Sequence, residues 1–340
     1  MITRSTVHPL ELRPDDERVT WDGVARLDER ADWWQPWRLT ADQVAGTLSP
    51  EVLSNTRTAA GVRFGFRTDA YEVRVDLKTE LWGPLPKPLD VLVDGVLAHR
   101  LELSPGVRTV VVALPGSPVD VELWLPHWCA TVGVGPLRFS GTAVEPLRRT
   151  GPRLVAYGSS ITQCVITPGP SETWPALVAR ERGWRLRNLG YAGQAYLDHA
   201  LAVAVADTPA DVVVVELGVN LYIRGPFDRR TLGSAVTGFL RTIRAANPHV
   251  PVVAFSPLVW ASREDVPNVH DLTLAQVRER VHEAVEFVRR DDERITLVDG
   301  ADLFGAVDAH LAPDGLHPDA RGDAVIASRL GPVLAAALDG

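Results

Sequence analysis

Arg153-Leu154-Val155-Ala156-Tyr157-Gly158-Ser159-Ser160-Ile161-Thr162 is the stretch on which the reading of the chain turns. Leu154 to Tyr157 carry no polar interruption, which suits a strand buried on both faces of a parallel sheet. Gly158 permits a tight turn that a residue with a Cβ resists. A serine just past the carboxyl end of a central parallel strand sits where open α/β sheets place ligands. Ser160 is therefore a candidate nucleophile wherever a base is within reach. A Gly-Ser-Ser triplet alone is also an ordinary turn. What distinguishes this one is Asp314-Gly-Leu-His317-Pro318 downstream, with Gly193 and Asn220 in between.

Downstream of that stretch, strands alternate with helices. Strands are expected at Leu186–Leu189, Asp211–Leu217, Val250–Ser256 and Ile295–Val298. Helices are expected at Thr173–Arg182, Gln194–Ala206, Arg229–Ala246, Leu274–Arg290 and Asp319–Leu338. Five strands, each followed by a helix, predict a doubly wound five-stranded parallel sheet with flavodoxin-like order.

Upstream the pattern differs. Val62–Thr68 and Tyr71–Leu77 alternate with period two, and Leu89–Val93 meets Asp94-Gly95, a hairpin signal. Val19–Trp21, Val107–Leu114, Val119–Leu125 and Leu137–Ser140 supply further short strands, broken at Gly83-Pro84, Pro115-Gly116 and Gly135-Pro136. The first part of the chain, 1–148, thus reads as an all-β sandwich, jelly-roll-like, ahead of a catalytic α/β unit at 149–340. A polar hinge, Arg148 to Pro152, separates the two. Seven of the ten tryptophans lie in the first part, Trp21, Trp33, Trp34, Trp37, Trp82, Trp124 and Trp128. They are expected chiefly to fill the core and the junction, with a sugar-stacking platform as the competing role. Trp33-Trp34-Gln35-Pro36-Trp37 is expected to be irregular and partly exposed because of Pro36.

Composition narrows the function. Apolar residues make up 46% of 340, enough for full cores. The net charge is −8, and the arginines are scattered rather than striped, which argues against nucleic acid or an anionic membrane as the main partner. Cys129 and Cys164 offer neither metal spacing nor a disulfide framework, and Cys164 reads as a small buried hydrophobe. His270 and His282 form no paired metal motif, and Gly133-Val-Gly135 opens no helix, so neither zinc nor a dinucleotide is expected. Met1 to Thr20 has no apolar signal-peptide core, which makes the cytoplasm the expected location.

The carboxyl-end loops of such a sheet gather on one edge, so Ser160, Gly193, Asn220, Asp314 and His317 are expected to converge. Their chemistry matches acyl transfer. His317 takes the serine proton, Asp314 fixes its tautomer, and the N–H groups of Ser160 and Gly193 with the Asn220 amide receive the oxyanion. Asp299 is the rival acid, and Ser159 the rival nucleophile.

Those residues carry a resemblance to the SGNH, or GDSL-type, hydrolase superfamily. Gly158-Ser159-Ser160 is similar to its Gly-Asp-Ser block, and Gly193 to its second-block glycine. Gly218-Val219-Asn220 is similar to its Gly-x-Asn block, and Asp314-Gly-Leu-His317 to its Asp-x-x-His block. Tyr157-Gly-Ser-Ser-Ile-Thr with Ser171-Glu-Thr-Trp-Pro175 resembles the subgroup with an N-terminal β-sandwich. Two positions depart from the pattern, Ser159 for aspartate and Leu221 where many members have aspartate. The resemblance implies a serine esterase without metal or organic cofactor. It would remove a small acyl group such as acetyl from a carbohydrate or natural-product alcohol. An acyltransferase using the same triad, and a catalytically inert carbohydrate-binding protein, remain as alternatives.

Overall fold

The computed structural model describes residues 10–83 and 87–340. The charged start of the chain through Pro9, and Pro84 of the Gly83-Pro84 break, lie outside the described residues.

Two antiparallel sheets occupy the first part. One runs β3 (Arg26–Arg30), β4 (Trp33–Trp37), β11 (Ala130–Phe139), β6 (Glu72–Leu81) and β9 (Gly106–Ala113), with β1 (Leu10–Leu12) also paired to β11. The other runs β12 (Val144–Pro146), β5 (Arg63–Thr68), β10 (Val119–Trp124), β7 (Leu89–Val93) and β8 (Val96–Leu101), with β2 (Thr20–Asp22) paired to β5. Alternation sets their inner faces: Val73, Val75 and Leu77 of β6 are fully buried, while Arg74 and Lys78 point to solvent. Phe66 of one sheet meets Phe139 of the other edge to face, with ring centroids 4.8 Å apart. Burying such a ring contributes roughly 1.5–3 kcal/mol. The β7–β8 hairpin turns at Asp94-Gly95, where both φ angles are positive (47° and 77°), as a type I′ turn requires.

Three features of this part differ from expectation. Trp33–Trp37 is a strand, not an irregular segment; Trp34 and Trp37 are buried, and Trp33 and Gln35 are half-buried. It pairs along its length with β3 but meets β11 only at Trp34, so Pro36 falls where only one neighbour is present. The strand expected at Leu137–Ser140 begins at Ala130, and a register shift between Val134 and Leu137 absorbs Gly135-Pro136. The part is not all-β either: it contains the short helices α1 (Ala41–Ala45) and α2 (Pro50–Thr56).

The second part is the expected parallel sheet. Its order is β14 (Arg185–Gly190), β13 (Arg153–Gly158), β15 (Val212–Glu216), β16 (Val252–Phe255) and β17 (Ile295–Val298), or 2-1-3-4-5 by position along the chain. Every pairing in it is parallel. The crossover helices are α4 (Trp174–Arg182), α5 (His199–Asp207), α7 (Thr231–Ala246) and α8 (Leu274–Arg289), and α10 (Ala320–Asp339) follows the last strand. On α7, Leu232, Val236, Phe239, Leu240 and Ile243 form one buried stripe at helical spacing. Leu39, Val52, Leu92 and Trp124 of the first part join the core of this unit, so the junction is apolar.

Candidate active site

Register brings the site's loops to one edge. Gly158 at the end of β13 lies beside Gly190 at the end of β14, and β15 ends at Glu216, two residues before Gly218. After Gly158 the chain turns at once into α3 (Ser160–Gln163). Ser159 caps it, its hydroxyl accepting from Ile161 N, and Ser160 is the first helical residue.

Ser160 Oγ lies 2.8 Å from His317 Nε2, and His317 Nδ1 lies 2.6 Å from Asp314 Oδ2. With the ring proton on Nδ1, donated to the carboxylate, Nε2 is left to accept the serine hydroxyl. The local fold explains the geometry. Gly315 at φ 82° makes the turn between Asp314 and His317, and Asp314 Oδ1 accepts from Leu316 N and His317 N. Partial burial works to raise the Asp314 pKa, but the backbone and ring hydrogen bonds from His317 outweigh it and hold the carboxyl below its usual range. The rival Asp299 does something else: it caps the short helix α9 (Gly300–Leu303) through Ala301 N and accepts from Ser256 Oγ.

Asn220 opens another short helix, α6 (Asn220–Ile223), and its Oδ1 accepts from Ala195 N. That bond turns Nδ2 the other way. Among the described residues, Ser160 N, Gly193 N and Asn220 Nδ2 donate to no protein group. Gly193 has φ 70°, and no atom lies within 4 Å of where a Cβ would sit, so the glycine serves backbone shape rather than space. The same region corrects an expectation. Helix α5 starts at His199, not Gln194, because Leu197 takes a left-handed conformation and Ala195 is held by Asn220.

The sequence reading missed Glu216. Its carboxylate is buried beneath the turn and accepts from Ser159 N at 2.8 Å, Ser159 Oγ at 2.5 Å and Thr162 Oγ1 at 2.6 Å. Burial raises its pKa, and these three donors oppose the rise. A Cβ on Gly158 would come 2.3 Å from Glu216 Oε2, and one on Gly218 would come 2.0 Å from Oε1. Both block glycines therefore make room for this acid. Glu216 anchors the turn through the Ser159 hydroxyl. Replacing it with glutamine puts an amide N–H₂ against groups that are donors here. Glu216→Gln is thus expected to lose about 1–3 kcal/mol of stability in denaturant unfolding, and wild-type stability would show that the carboxylate is not needed as a triple acceptor.

The first part of the chain also reaches the site. Arg38 is buried and has no carboxylate partner among the described residues. It donates to the carbonyls of Asn55, Thr58, Asn188 and Gly190, and its guanidinium lies 4.9 Å from the Tyr191 ring centroid. Burial lowers its pKa to about 10. Gln163 bridges the same junction, donating to Thr58 Oγ1 and His127 O and accepting from Ala192 N. His127 crosses too, its Nε2 2.9 Å from Cys164 O, and burial lowers its pKa to about 3. The loop leading to Gly193 is thereby tied to both parts of the chain. Cys164 is buried, and burial pushes its thiol well above the usual range, so it is a packed thiol and not a nucleophile. Leu221 is buried as well.

Among the described residues no group of three metal-ligating side chains clusters, and no helix is long and apolar enough to cross a membrane.

Two family models match the chain. One, described as the GDSL-like Lipase/Acylhydrolase family, covers residues 156–325, and one described as the SsfX3 N-terminal domain covers residues 19–133. Among solved structures, the chain is similar to the salicylyl-acyltransferase SsfX3 from a tetracycline biosynthetic pathway. The identity is 28%, the TM-score 0.88, and 97% of this chain and 98% of that one are covered. A putative GDSL-like lipase from Bacteroides ovatus shares the fold at 18% identity and TM-score 0.79, over 97% of this chain and 98% of that one. So does a family two carbohydrate esterase from Cellvibrio japonicus, at 15% identity and TM-score 0.70 with the same coverage. Curated protein sequences give no significant match.

Proposed function

Since the chain belongs to the GDSL-like lipase/acylhydrolase family, we propose that it is a serine esterase that cleaves a small acyl ester, such as an acetyl ester of a carbohydrate or natural-product alcohol, through an acyl-enzyme on Ser160. The observation that carries this reading is the hydrogen-bonded series Ser160–His317–Asp314. Ser160 Oγ attacks the ester carbonyl while His317 Nε2 takes its proton. The carbonyl oxygen becomes an oxyanion and is received by Ser160 N, Gly193 N and Asn220 Nδ2, donors that no group among the described residues occupies. His317 then gives the proton to the departing alcohol oxygen as the C–O bond breaks. Water, deprotonated by the same imidazole, attacks the acyl-enzyme, and the imidazolium returns the proton to Ser160 Oγ as the acyl–oxygen bond breaks and the acid leaves. Asp314 stays ionised throughout and holds the imidazolium as it forms. Each role falls to a side chain or a backbone N–H, so neither metal nor organic cofactor is required.

The second reading replaces water by an alcohol acceptor, which makes the protein an acyltransferase. It is favoured by the end-to-end likeness to the salicylyl-acyltransferase. The two differ in acceptor alone, so product analysis with and without added alcohols, on p-nitrophenyl esters of rising chain length, separates them. Free acid in both conditions supports the esterase, and new ester formed in preference to acid supports the transferase. An inert carbohydrate-binding protein is disfavoured, because it would have no use for the series from Ser160 to Asp314.

Asn220→Ala tests the oxyanion donors within either reading. It is expected to lower kcat by about 10²–10³ and to leave KM nearly unchanged. A change confined to KM would make Asn220 a ground-state binding residue instead.

A further inference from the structure

Beside the candidate site lies a groove of about 450 Å³, lined by Tyr222, Ile223, Trp260, Arg263, Pro267 and Val269 among others. Two of its walls belong to segments already described. Tyr222 and Ile223 continue the helix that Asn220 opens. Trp260 Nε1 lies 3.6 Å from where a Cβ on Gly315 would stand, against the turn between Asp314 and His317. The walls are held in place from behind. Trp260 N donates to Glu264, and Arg278 pairs with Glu264 while donating to the carbonyls of Pro257 and Leu258. Tyr222 Oη donates to Val266 O, and Asn268 Nδ2 to Tyr222 O.

We propose that this groove is the substrate subsite, and that it takes a flat aromatic ring bearing an anionic group. The proposal rests on the reading of Ser160 as nucleophile. Three observations point to this chemistry. The rim is apolar and uncovered: Ile223, Val266 and Val269 are 42%, 37% and 77% exposed, a cluster that a bound ring would shield. The wall offers an indole face, with the Arg263 guanidinium 5.5 Å from its centroid, an arrangement that extends naturally to a third stacked plane. Arg263 has no carboxylate within ion-pair distance among the described residues, and its neighbour Glu264 is occupied by Arg278. Of the groove's other polar side chains, Tyr222 and Asn268 are already engaged, and the Trp260 indole N–H, which donates to no protein group among the described residues, is the further donor. Tyr222 Oη and Asn268 Nδ2 donate to carbonyls, and Asn268 Oδ1 accepts from His270 N and Leu272 N. One anionic group on a ring stacked against the indole would find its cation in Arg263.

The ring can belong to the acyl half or the alcohol half of the ester, and two substrate pairs separate these sources. Monomethyl terephthalate against methyl benzoate places it in the acyl half; 4-acetoxybenzoate against phenyl acetate places it in the alcohol half. In one pair the wild type is expected to favour the charged ester by about tenfold in kcat/KM, as a hydrogen bond to a charged group allows. Arg263→Gln should bring that ratio to about one, Arg263→Lys should restore part of it, and Trp260→Ala should raise KM for both members of the pair. No charge preference in either pair, or a preference that survives Arg263→Gln, overturns the proposal while leaving the serine mechanism standing. If no ester is turned over, the serine reading fails, and binding decides the groove separately. Calorimetric binding of monomethyl terephthalate or 4-acetoxybenzoate to the Ser160→Ala protein, lost on adding Arg263→Gln, supports it; absence of binding by both, or binding indifferent to Arg263, overturns it.

Discussion

Ser160→Ala and His317→Ala are each expected to lower kcat by about 10⁶, and the double variant by no more than either single one. The size follows from removing the nucleophile or its base in a serine mechanism, and the lack of additivity from the two acting as one unit. Their contact, Ser160 Oγ to His317 Nε2 at 2.8 Å, is the structural form of that unit. Without the imidazole the hydroxyl keeps its proton and is a poor nucleophile. Without the hydroxyl the imidazole has nothing to activate in the acylation step. Residual turnover should come from the oxyanion donors and binding alone. Steady-state rates on one activated ester, with all three variants shown folded by circular dichroism, check this. A double variant much slower than either single one would mean that the two residues act independently.

Asp314→Asn is expected to lower kcat by about 10⁴, the scale seen when the acid of a serine-protease triad is changed in this way. The amide keeps the shape of the turn, and its Oδ1 still accepts from Leu316 N and His317 N. What it loses is the negative charge beside Nδ1, and with it both the fixed tautomer and the stabilisation of the imidazolium. Asp299→Asn is the control. That residue serves as a helix cap to Ala301, so its change is expected to leave the rate within about threefold, since asparagine caps a helix about as well as aspartate. A large effect at Asp299 with a small one at Asp314 would mean that the wrong carboxylate has been placed in the series.

The parallel sheet was legible in the sequence because its inner strands are buried on both faces. Val212 to Val215 on β15 are all apolar and buried, and such a run leaves its mark without any partner in view. The meeting of Ser160, His317 and Asp314 was legible because the strand ends put their loops on one edge. Where long-range contacts decide the outcome, local pattern failed. Residues 194–198 read as the start of a helix, yet Asn220, 25 residues away, holds Ala195 outside it. Trp33–Trp37 read as irregular because Pro36 is a poor strand residue, and pairing with β3 overrides that preference. Helices α1 and α2 are too short for a periodic signal, but their caps were visible: Thr40 with Gln43 forms a capping box, and Ser49 precedes Pro50. Glu216 also left a sign, a carboxylate closing an otherwise apolar strand between two glycine turns. Arg38, whose partners Asn188 and Gly190 lie some 150 residues downstream, left none.

The central claim is that Ser160 becomes covalently acylated, and a fluorophosphonate probe read by mass spectrometry of the digested protein tests it most directly. Wild type and Ser159→Ala are expected to carry the label, in both cases on Ser160, and Ser160→Ala to carry none. Labelling that persists in Ser160→Ala and disappears in Ser159→Ala would contradict the claim and move the nucleophile to the neighbouring serine.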